Sequence, residues 1–216
     1  MLKRPPYVII KKIGAETGRR LFRRMRENME NRAYEKKCLR RKMKELRGAV
    51  PDREERDARI LGNLCRLDRF AQAETVFLYK AFGTEAGTDL IAAKILADGR
   101  RIFYPRTEGE EILLVPYTGQ PFRKGRFSCP EPEGDIFSGT PDVCIAPLLA
   151  ADLQFRRLGY GGGFYDRYFH GKGRNVYKIG IGYDFQIESR IPDEAHDVPL
   201  DAIVSDKRIL CREEKR

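Results

Sequence analysis

The spacing of apolar residues predicts helices in the first third of the chain. Residues 34–47 carry apolar side chains at steps of three and four, the pattern of an amphipathic helix, which we expect to end at Gly48. Residues 19–29 carry a shorter pattern of the same kind. A second helix is expected to begin at Asp52, whose carboxylate would cap free backbone amides while Glu55 reaches back to complete a capping box.

From residue 75 onward the pattern changes to short runs of β-branched and aromatic residues, which predict strands. The predicted strands are Thr75–Phe82, Arg101–Pro105, Ile112–Tyr117, Val143–Pro147, Lys178–Tyr183 and Ala202–Val204. A helix that starts at Thr88 and is ended by Gly99 separates the first two strands. This alternation predicts an α/β fold: a single three-layer domain with a mostly parallel sheet flanked by helices. Residues 118–141 are rich in Pro and Gly and are expected to form a long ordered loop.

Positive charge is concentrated at the N-terminus. The 216 residues carry a formal net charge of +10, yet residues 1–50 hold 17 Lys and Arg against 5 Glu, and the rest of the chain holds 25 basic and 27 acidic residues. We therefore divide the chain into a basic N-terminal helical extension, residues 1–33, and an α/β domain, residues 34–216. A basic arm can bind polyanions, but a solvated helical face explains the same charge, and we prefer that interpretation. Three apolar residues of the extension are expected to dock on the domain: Leu21, Phe22 and Met25.

Cysteine usage and hydropathy set the broad class of the protein. The five cysteines are scattered without a CxxC pair and are accompanied by only two histidines, which argues against a disulfide framework and a structural zinc site. No apolar run approaches the roughly 18 residues that span a bilayer, and the N-terminus does not resemble a signal peptide. We expect a cytoplasmic protein that is a monomer and does not associate with membranes.

The stretch RLGYGGGFYD, from Arg157 to Asp166, contains four glycines at positions 159, 161, 162 and 163. Glycine allows the backbone to approach a ligand closely, and the backbone amides of such a stretch can surround phosphate oxygens. The two standard nucleotide signatures are absent, because GxGxxG would need glycine where Phe164 stands and no GxxxxGK[ST] loop occurs. Taken alone, a glycine-rich turn without a ligand is about as good an interpretation.

Two aspartates are candidate metal ligands. Asp166 closes the glycine-rich stretch, where a carboxylate beside bound phosphates would hold magnesium. Asp197 lies in the loop before the last predicted strand. For either residue alone, a role as helix cap or turn former is the better interpretation.

Three separated motifs occur along the chain: Lys36–Arg40 has the form K-x-x-L-R, Arg157–Asp166 the form R-L-G-x-G-x-G-[YF]-Y-D, and His196–Asp201 the form H-D-x-x-[LV]-D. Together they resemble the 5-formyltetrahydrofolate cyclo-ligase family. Shorter elements match between them: Glu85 and Thr88 of an E-x-x-T element, and Pro130-Glu131-Pro132 of an E-P loop. The resemblance extends from about residue 34 to the end of the chain, and its glycine-rich motif is the specific part.

The resemblance implies an ATP- and magnesium-dependent enzyme that converts a reduced folate, 5-formyltetrahydrofolate, to 5,10-methenyltetrahydrofolate. It implies that ATP is bound by Lys36, Arg40, Arg157, Gly159, Tyr160, Gly161, Gly162, Gly163, Phe164 and Tyr165. It also implies that Glu85 and Arg40 contact the folate and that Asp166 and Asp197 hold magnesium. Lys36 and Arg40 are four residues apart and so share one helical face, and the arginine fork suits phosphate.

Two departures from the family pattern leave alternatives open. The segment Ala151–Phe155 lacks the aromatic residue and the glycine of the family's F-D-x-x-G, and Ser205-Asp206 stands where T-E is common. A second hypothesis is therefore an enzyme of the same fold that acts on a different substrate. A third is a non-catalytic nucleic-acid-binding protein that uses the basic N-terminus. The acidic site candidates and the absence of an RNP motif make nucleic acid the weakest of these partners.

Overall fold

The computed structural model describes residues 15–125, 129–194 and 197–213, with side chains from residue 26 onward. The helices in this part of the chain are α1 (Ala15–Gly48), α2 (Arg53–Cys65), α3 (Asp68–Ala71), α4 (Asp89–Ala97) and α5 (Phe164–His170), with a 3-10 turn at Asp184–Gln186. The strands are β1 (Thr75–Leu78), β2 (Arg101–Glu108), β3 (Glu111–Pro116), β4 (Phe122–Lys124), β5 (Pro130–Pro132), β6 (Val143–Pro147), β7 (Ala150–Asp152), β8 (Arg157–Leu158), β9 (Tyr177–Gly182), β10 (Ile187–Glu188), β11 (Ala202–Ser205) and β12 (Ile209–Cys211). None of the described helices is long and apolar enough to cross a membrane.

A seven-stranded sheet organises the domain, in the order β12-β11-β9-β6-β1-β2-β3. Its five central strands are parallel, and the two edge strands, β12 and β3, pair antiparallel with their neighbours. Two small sheets, β10-β7-β8 and β4-β5, accompany it. Because the parallel strands run side by side, their carboxyl ends meet at one edge of the sheet, where α/β proteins commonly bind ligands.

Alternating side chains of the central strands fill a core on each face of the sheet. On one face Val76 and Leu78 join a cluster with α2, α3 and α4, and on the other face Phe77 joins a cluster with α5. A third, smaller cluster places Met43 of α1 against the β7–β8 hairpin. Helices therefore cover both faces of the sheet, and the predicted three-layer α/β fold is confirmed.

Three details differ from the sequence predictions. The two helical segments expected before Gly48 form one continuous helix, α1, which crosses the boundary drawn at residues 33 and 34. Asp52 has a left-handed backbone (φ 52°) and its side chain does not cap α2, because a capping residue needs an extended backbone to reach the free amides. The region 118–141, expected to be a loop, contains the strand pair β4–β5.

Other predictions concern residues that the structure does not describe. The proposed docking of Leu21, Phe22 and Met25 lies outside the described side chains, and His196 of the third motif lies outside the described residues.

The helix predicted to end before Gly99 is confirmed as α4. The strand predicted at residues 75–82 ends earlier, at Leu78, because the chain leaves the sheet there to line the cavity described next.

Candidate active site

A cavity of about 530 Å³ lies at the carboxyl ends of β1 and β6 and beside β2. Its wall brings together residues that are up to 161 positions apart in the sequence. Every predicted site residue lines it: Lys36, Arg40, Glu85, Arg157, Gly159, Tyr160, Gly161, Gly162, Gly163, Phe164, Tyr165, Asp166 and Asp197. The three separated motifs of the sequence therefore meet in one place.

Helix α1 contributes a row of three cations to the cavity wall. Lys36, Arg40 and Lys44 are spaced four residues apart, so they lie on one helical face, and all three line the cavity. The Lys36 ammonium is only 6% exposed and lies 2.8 Å from Oε2 of Glu194 and 2.9 Å from Oδ2 of Asp197. Arg40 donates from Nε to the carbonyl oxygen of Gly159 at 2.9 Å. Helix α1 is thus joined to both loops that close the cavity.

The glycine-rich loop between β8 and α5 follows a path that requires glycine. Gly161 and Gly163 have φ values of 103° and 67°, in the region that side-chain-bearing residues avoid. A Cβ atom at Gly161 would lie 3.4 Å from Cζ of Arg40, in van der Waals contact with the guanidinium. The loop backbone therefore runs directly beneath the Arg40 guanidinium, as a cradle for an anion would need.

The far end of the same loop is fixed by Arg157 and Tyr165. The Arg157 guanidinium lies 3.0 Å from Oδ2 of Asp166 and 5.3 Å, at Cζ, from the centre of the Tyr165 ring. The Tyr165 ring stacks on Phe77 of β1, with centroids 5.7 Å apart and planes 7° apart. Because Phe77 belongs to the sheet core, the loop is held against a rigid layer.

Glu85 and Tyr160 form another part of the cavity wall. Glu85 is 4% exposed and accepts a hydrogen bond from the Phe82 amide at 3.1 Å. Burial raises the pKa of Glu85 above its usual value, although the Phe82 amide and the nearby Tyr160 hydroxyl act against the increase. The Tyr160 ring stacks on Phe82 at 6.0 Å, and burial raises the pKa of its hydroxyl to about 12. Glu85 is thus a buried acceptor in an aromatic wall.

The carboxylates at the α1 end of the cavity have the donor chemistry that magnesium prefers. Asp166, in the first turn of α5, lies beside the loop that carries Asp197, since the Val198 amide lies 3.4 Å from Oδ1 of Asp166. Within the described residues no group of three or more His, Cys, Asp or Glu side chains is placed to hold a metal by itself. Magnesium in proteins is often held by one or two carboxylates together with substrate phosphates, so two aspartates beside a phosphate cradle fit the ion.

The 5-formyltetrahydrofolate cyclo-ligase family matches residues 32–206, most of the chain. The chain belongs to this family. It is 30% identical over 146 residues to the 5-formyltetrahydrofolate cyclo-ligase of Escherichia coli K12, a match that covers 63% of this chain and 80% of that protein. A probable 5-formyltetrahydrofolate cyclo-ligase of Caenorhabditis elegans is 28% identical over 185 residues, 77% of this chain and 90% of the relative.

Solved structures from the same family share the fold. The NMR structure of Aquifex aeolicus 5,10-methenyltetrahydrofolate synthetase aligns with a TM-score of 0.74 and 30% identity, covering 84% of this chain and 94% of that one. The 5,10-methenyltetrahydrofolate synthetase of Mycoplasma pneumoniae aligns with a TM-score of 0.63 and 26% identity, covering 79% and 98%. The resemblance inferred from the three motifs is confirmed.

The segment that departs from the cyclo-ligase pattern lies away from the cavity. None of residues 151–155 is among the described residues that line it. Asp152 is buried and organises the turn, accepting hydrogen bonds from the amides of Gln154 and Arg156 at 3.0 Å each. Phe155, where the family pattern has glycine, keeps a left-handed backbone (φ 63°). Phe155 therefore replaces the glycine of the family pattern, while Asp152 and the left-handed backbone of the turn are present.

Several cavity residues were not foreseen from the sequence of this cyclo-ligase family member. They include Lys44, Lys80, Phe82, Thr107, Cys129 and Glu194. Lys44 could have been found, because it continues the four-residue spacing of Lys36 and Arg40. Thr107 and Cys129 could not, since they reach the cavity only through the pairing of β2 with β3 and of β4 with β5. Burial raises the pKa of Cys129 to about 11, so this thiol is a protonated part of the wall at neutral pH.

Proposed function

We propose that this protein catalyses the ATP- and magnesium-dependent cyclisation of 5-formyltetrahydrofolate to 5,10-methenyltetrahydrofolate, with release of ADP and phosphate. The observation that carries the proposal is the arrangement of one cavity. A cationic helix face and a glycine-rich loop lie at one end, and a buried carboxylate in an aromatic wall lies beside them. Such a cavity has places for both the phosphates of a nucleotide and an aromatic, hydrogen-bonding substrate.

The phosphate end would consist of α1 and the glycine-rich loop. Lys36 and Arg40 would contact the phosphates from one side, and the amides of residues 159–165 from the other. Arg157 would hold the loop in place and contribute positive charge. Arg40 lies above the loop and donates a hydrogen bond to the carbonyl oxygen of Gly159. On ligand binding it would replace this bond with hydrogen bonds to phosphate oxygens and to the folate.

The magnesium ion would be held by Asp166 and Asp197 together with the ATP phosphates. When bound, it would neutralise charge that develops on the transferred phosphoryl group. Both carboxylates also face cations of the protein: Asp166 faces Arg157, and Asp197 faces Lys36. The negative charges of the two aspartates are thus paired with positive charges of the protein, and the Lys36 ammonium can exchange Asp197 for a phosphate of the nucleotide.

The chemistry would need positioning and charge stabilisation more than a dedicated nucleophile. The formyl oxygen of the folate attacks the terminal phosphorus of ATP, and the bond from that phosphorus to ADP breaks. The neighbouring folate nitrogen then attacks the activated formyl carbon and closes the ring. Phosphate leaves with the formyl oxygen, and the proton of the attacking nitrogen passes to the released phosphate or to solvent. Glu85 would fix the folate, while Lys36 and Arg40 stabilise the negative charge on the phosphoryl oxygens.

The decisive test is the formation of the methenyl product by purified protein. With ATP, magnesium and 5-formyltetrahydrofolate present, we expect the near-ultraviolet absorbance of the methenyl folate to appear, with one ADP released per product. Omission of any one of the three should abolish the signal. A folded protein that forms no methenyl folate under these conditions contradicts the proposal.

The position of residues 151–155 favours this substrate over a different one, because the altered segment does not line the cavity. Nucleic-acid binding through the basic N-terminus has no structural feature among the described residues to support it. We retain the monomeric state and the cytoplasmic location as predictions.

A further inference from the structure

Arg47, in the last turn of α1, is a buried arginine outside the cavity. It is 2% exposed, and it is not among the cavity-lining residues. Its guanidinium donates to the Tyr160 hydroxyl at 2.7 Å and to the Leu148 carbonyl oxygen at 3.3 Å. Its Nε is buried and has no hydrogen-bond partner within the described part of the chain. Burial of an arginine with one donor unused is costly, which points to a role beyond packing.

The contact between Arg47 and Tyr160 continues to Glu85. The Tyr160 hydroxyl accepts from Arg47 at 2.7 Å, and it lowers the pKa of the neighbouring Glu85 carboxyl, so it lies between a cation outside the cavity and an anion in its wall. The Tyr160 ring is at the same time stacked on Phe82, whose amide donates to Oε2 of Glu85 at 3.1 Å. The bond from Arg47 and the stacked ring therefore hold Tyr160 beside Glu85.

A second arginine fixes the backbone of the same residues. Arg53 donates to the carbonyl oxygen of Arg47 at 3.0 Å and to that of Glu85 at 2.6 Å. The end of α1 and the loop that follows β1 are therefore tied together at their main chains by Arg53. The three-residue chain from Arg47 through Tyr160 to Glu85 ties them a second time at their side chains.

We propose that Arg47 is a positioning residue that holds the Tyr160 hydroxyl against Glu85 and thereby fixes the folate-contacting wall of the cavity. The inference rests on the proposed function where it names the folate. It concerns the side chain of Tyr160, whereas the phosphate-binding role proposed above uses the backbone amide of that residue. Arg47 acts through Tyr160 and does not itself touch substrate.

The electrostatics of the wall agree with this geometry. The titratable and charged groups of the described residues that face Glu85 are Tyr160, Arg47, Arg53, Tyr79, Tyr165 and Cys129. Burial raises the pKa of Glu85, and the Tyr160 hydrogen bond and the Arg47 charge are among the effects that oppose the increase. Removal of the Arg47 charge should raise that pKa further. The ionised carboxylate would then be lost at a higher pH, and the acid limb of the activity profile would move upward.

The test compares Arg47→Met, Tyr160→Phe and the double variant in steady-state kinetics. We expect each single variant to raise KM for 5-formyltetrahydrofolate about tenfold, while KM for ATP changes less than about threefold. The double variant should be no worse than Arg47→Met alone, because both changes break the same chain. Additive effects, or equal changes in the two KM values, would overturn the proposal.

Two further measurements separate positioning from stability. Arg47→Lys keeps the charge and one donor direction, so the acid limb of kcat/KM for folate should stay near the wild-type pH while that of Arg47→Met moves upward. The control is Arg56→Met, which removes a partly buried arginine paired with Asp206 at 2.6 Å, outside the cavity. It should lower the unfolding midpoint without a change in either KM. If Arg56→Met raises the folate KM as much as Arg47→Met does, the effect is general destabilisation and the inference is wrong.

A crystal structure of Arg47→Met keeps this inference distinct from the proposed function. Failure of the wild-type protein to form methenyl folate would contradict the function alone. The position of Tyr160 tests Arg47 in either case: we expect the hydroxyl to leave the Glu85 carboxylate. A Tyr160 hydroxyl that stays in hydrogen-bond contact with Glu85 would overturn the inference.

Discussion

The Arg157 guanidinium lies 3.0 Å from the Asp166 carboxylate, and this ion pair joins the first and last residues of the glycine-rich stretch. The side chain of Arg157 is 4% exposed and that of Asp166 is 17% exposed, so solvent screens the pair only weakly. The other carboxylate oxygen of Asp166 faces the Val198 amide at 3.4 Å. Asp166 therefore lies where the glycine-rich loop, the loop of Asp197 and the cavity meet.

We predict that Asp166→Asn removes most of the metal-dependent turnover and leaves the fold intact. The amide retains the size of the carboxylate but not its charge, so both the magnesium site and the pair with Arg157 are weakened. The expected loss in kcat is on the order of 10²-fold, with a higher magnesium concentration at half-maximal rate. A magnesium titration of the initial rate measures both quantities.

The matched control for this change is Asp193→Asn. Asp193 also pairs with an arginine, Arg156, at 3.1 Å, but it does not line the cavity. Loss of the Asp193 carboxylate should leave the magnesium concentration that the enzyme requires unchanged. If Asp166→Asn behaves like the control, Asp166 is not a magnesium ligand.

We predict that Arg40→Lys weakens ATP binding although it conserves charge. Lysine cannot make the paired hydrogen bonds of a guanidinium, and its side chain is shorter, so the hydrogen bond to the carbonyl oxygen of Gly159 would be lost. The expected effect is a rise in KM for ATP of about tenfold or more, which is measured at saturating folate. Arg41→Lys is the control, since Arg41 is exposed on the neighbouring position of α1 and does not line the cavity. An Arg40→Lys variant with wild-type kinetics would remove Arg40 from the site.

The fold was predictable wherever the local pattern and the tertiary structure agree. The short runs predicted as strands at Val143–Pro147 and Ala202–Val204 became β6 and β11 within one residue at each end. The continuity of α1 was harder to predict because its exposed charged stretch has no apolar stripe that spans residues 30–33. The capping role of Asp52 failed for a conformational reason, since its left-handed backbone is not encoded by residue type.

The site was predictable where motifs carry their own spacing. Two such patterns are local in the sequence. One is the pair Lys36 and Arg40 on a single helix, and the other is the continuous stretch of residues 157–166. Glu194 and Cys129 come to the cavity through long-range contacts, such as the 158-residue separation between Lys36 and Glu194. No local sequence pattern identifies such residues. The contact of Glu194 with the Lys36 ammonium, which also pairs with Asp197, is therefore known only from the structure.

We predict that Phe155→Gly is more stable than Phe155→Ala by about 1 kcal/mol. Both variants lose the partly buried ring, which packs against the core under the second face of the sheet. Only glycine also relieves the left-handed backbone at φ 63°, a conformation that costs a residue with a Cβ atom about 1–2 kcal/mol. Denaturant unfolding of the two variants measures the difference.

The same pair of variants tests whether the altered segment influences the substrate. Residues 151–155 do not line the cavity, so KM for ATP and for folate should stay within about threefold of wild type in both variants. An alanine variant as stable as the glycine variant would show that the turn is not strained. A change in folate KM would connect the segment to the site after all.

Our last prediction concerns the basic extension: removal of residues 1–12 should leave turnover within a few-fold of the full chain. All the matched motifs begin at Lys36 or later, and among the α1 side chains that the structure describes, from Arg26 onward, Lys36 is the first to line the cavity. Removal of residues 1–30 should also preserve the ATP site, because side chains from Arg26 to Glu35 are exposed. It should lower the unfolding midpoint if Leu21, Phe22 and Met25 dock on the domain as we expect.

Kinetics of the two shortened chains, with their thermal unfolding, decide the matter. Lys36→Met in the full chain is the comparison, since it removes a cavity cation that pairs with Asp197 and Glu194 and should reduce turnover at least about tenfold. The shortened chains should instead retain the wild-type KM for ATP. If a folded protein without residues 1–12 is as inactive as Lys36→Met, the extension must reach the active site, and the functional boundary does not lie at residue 34.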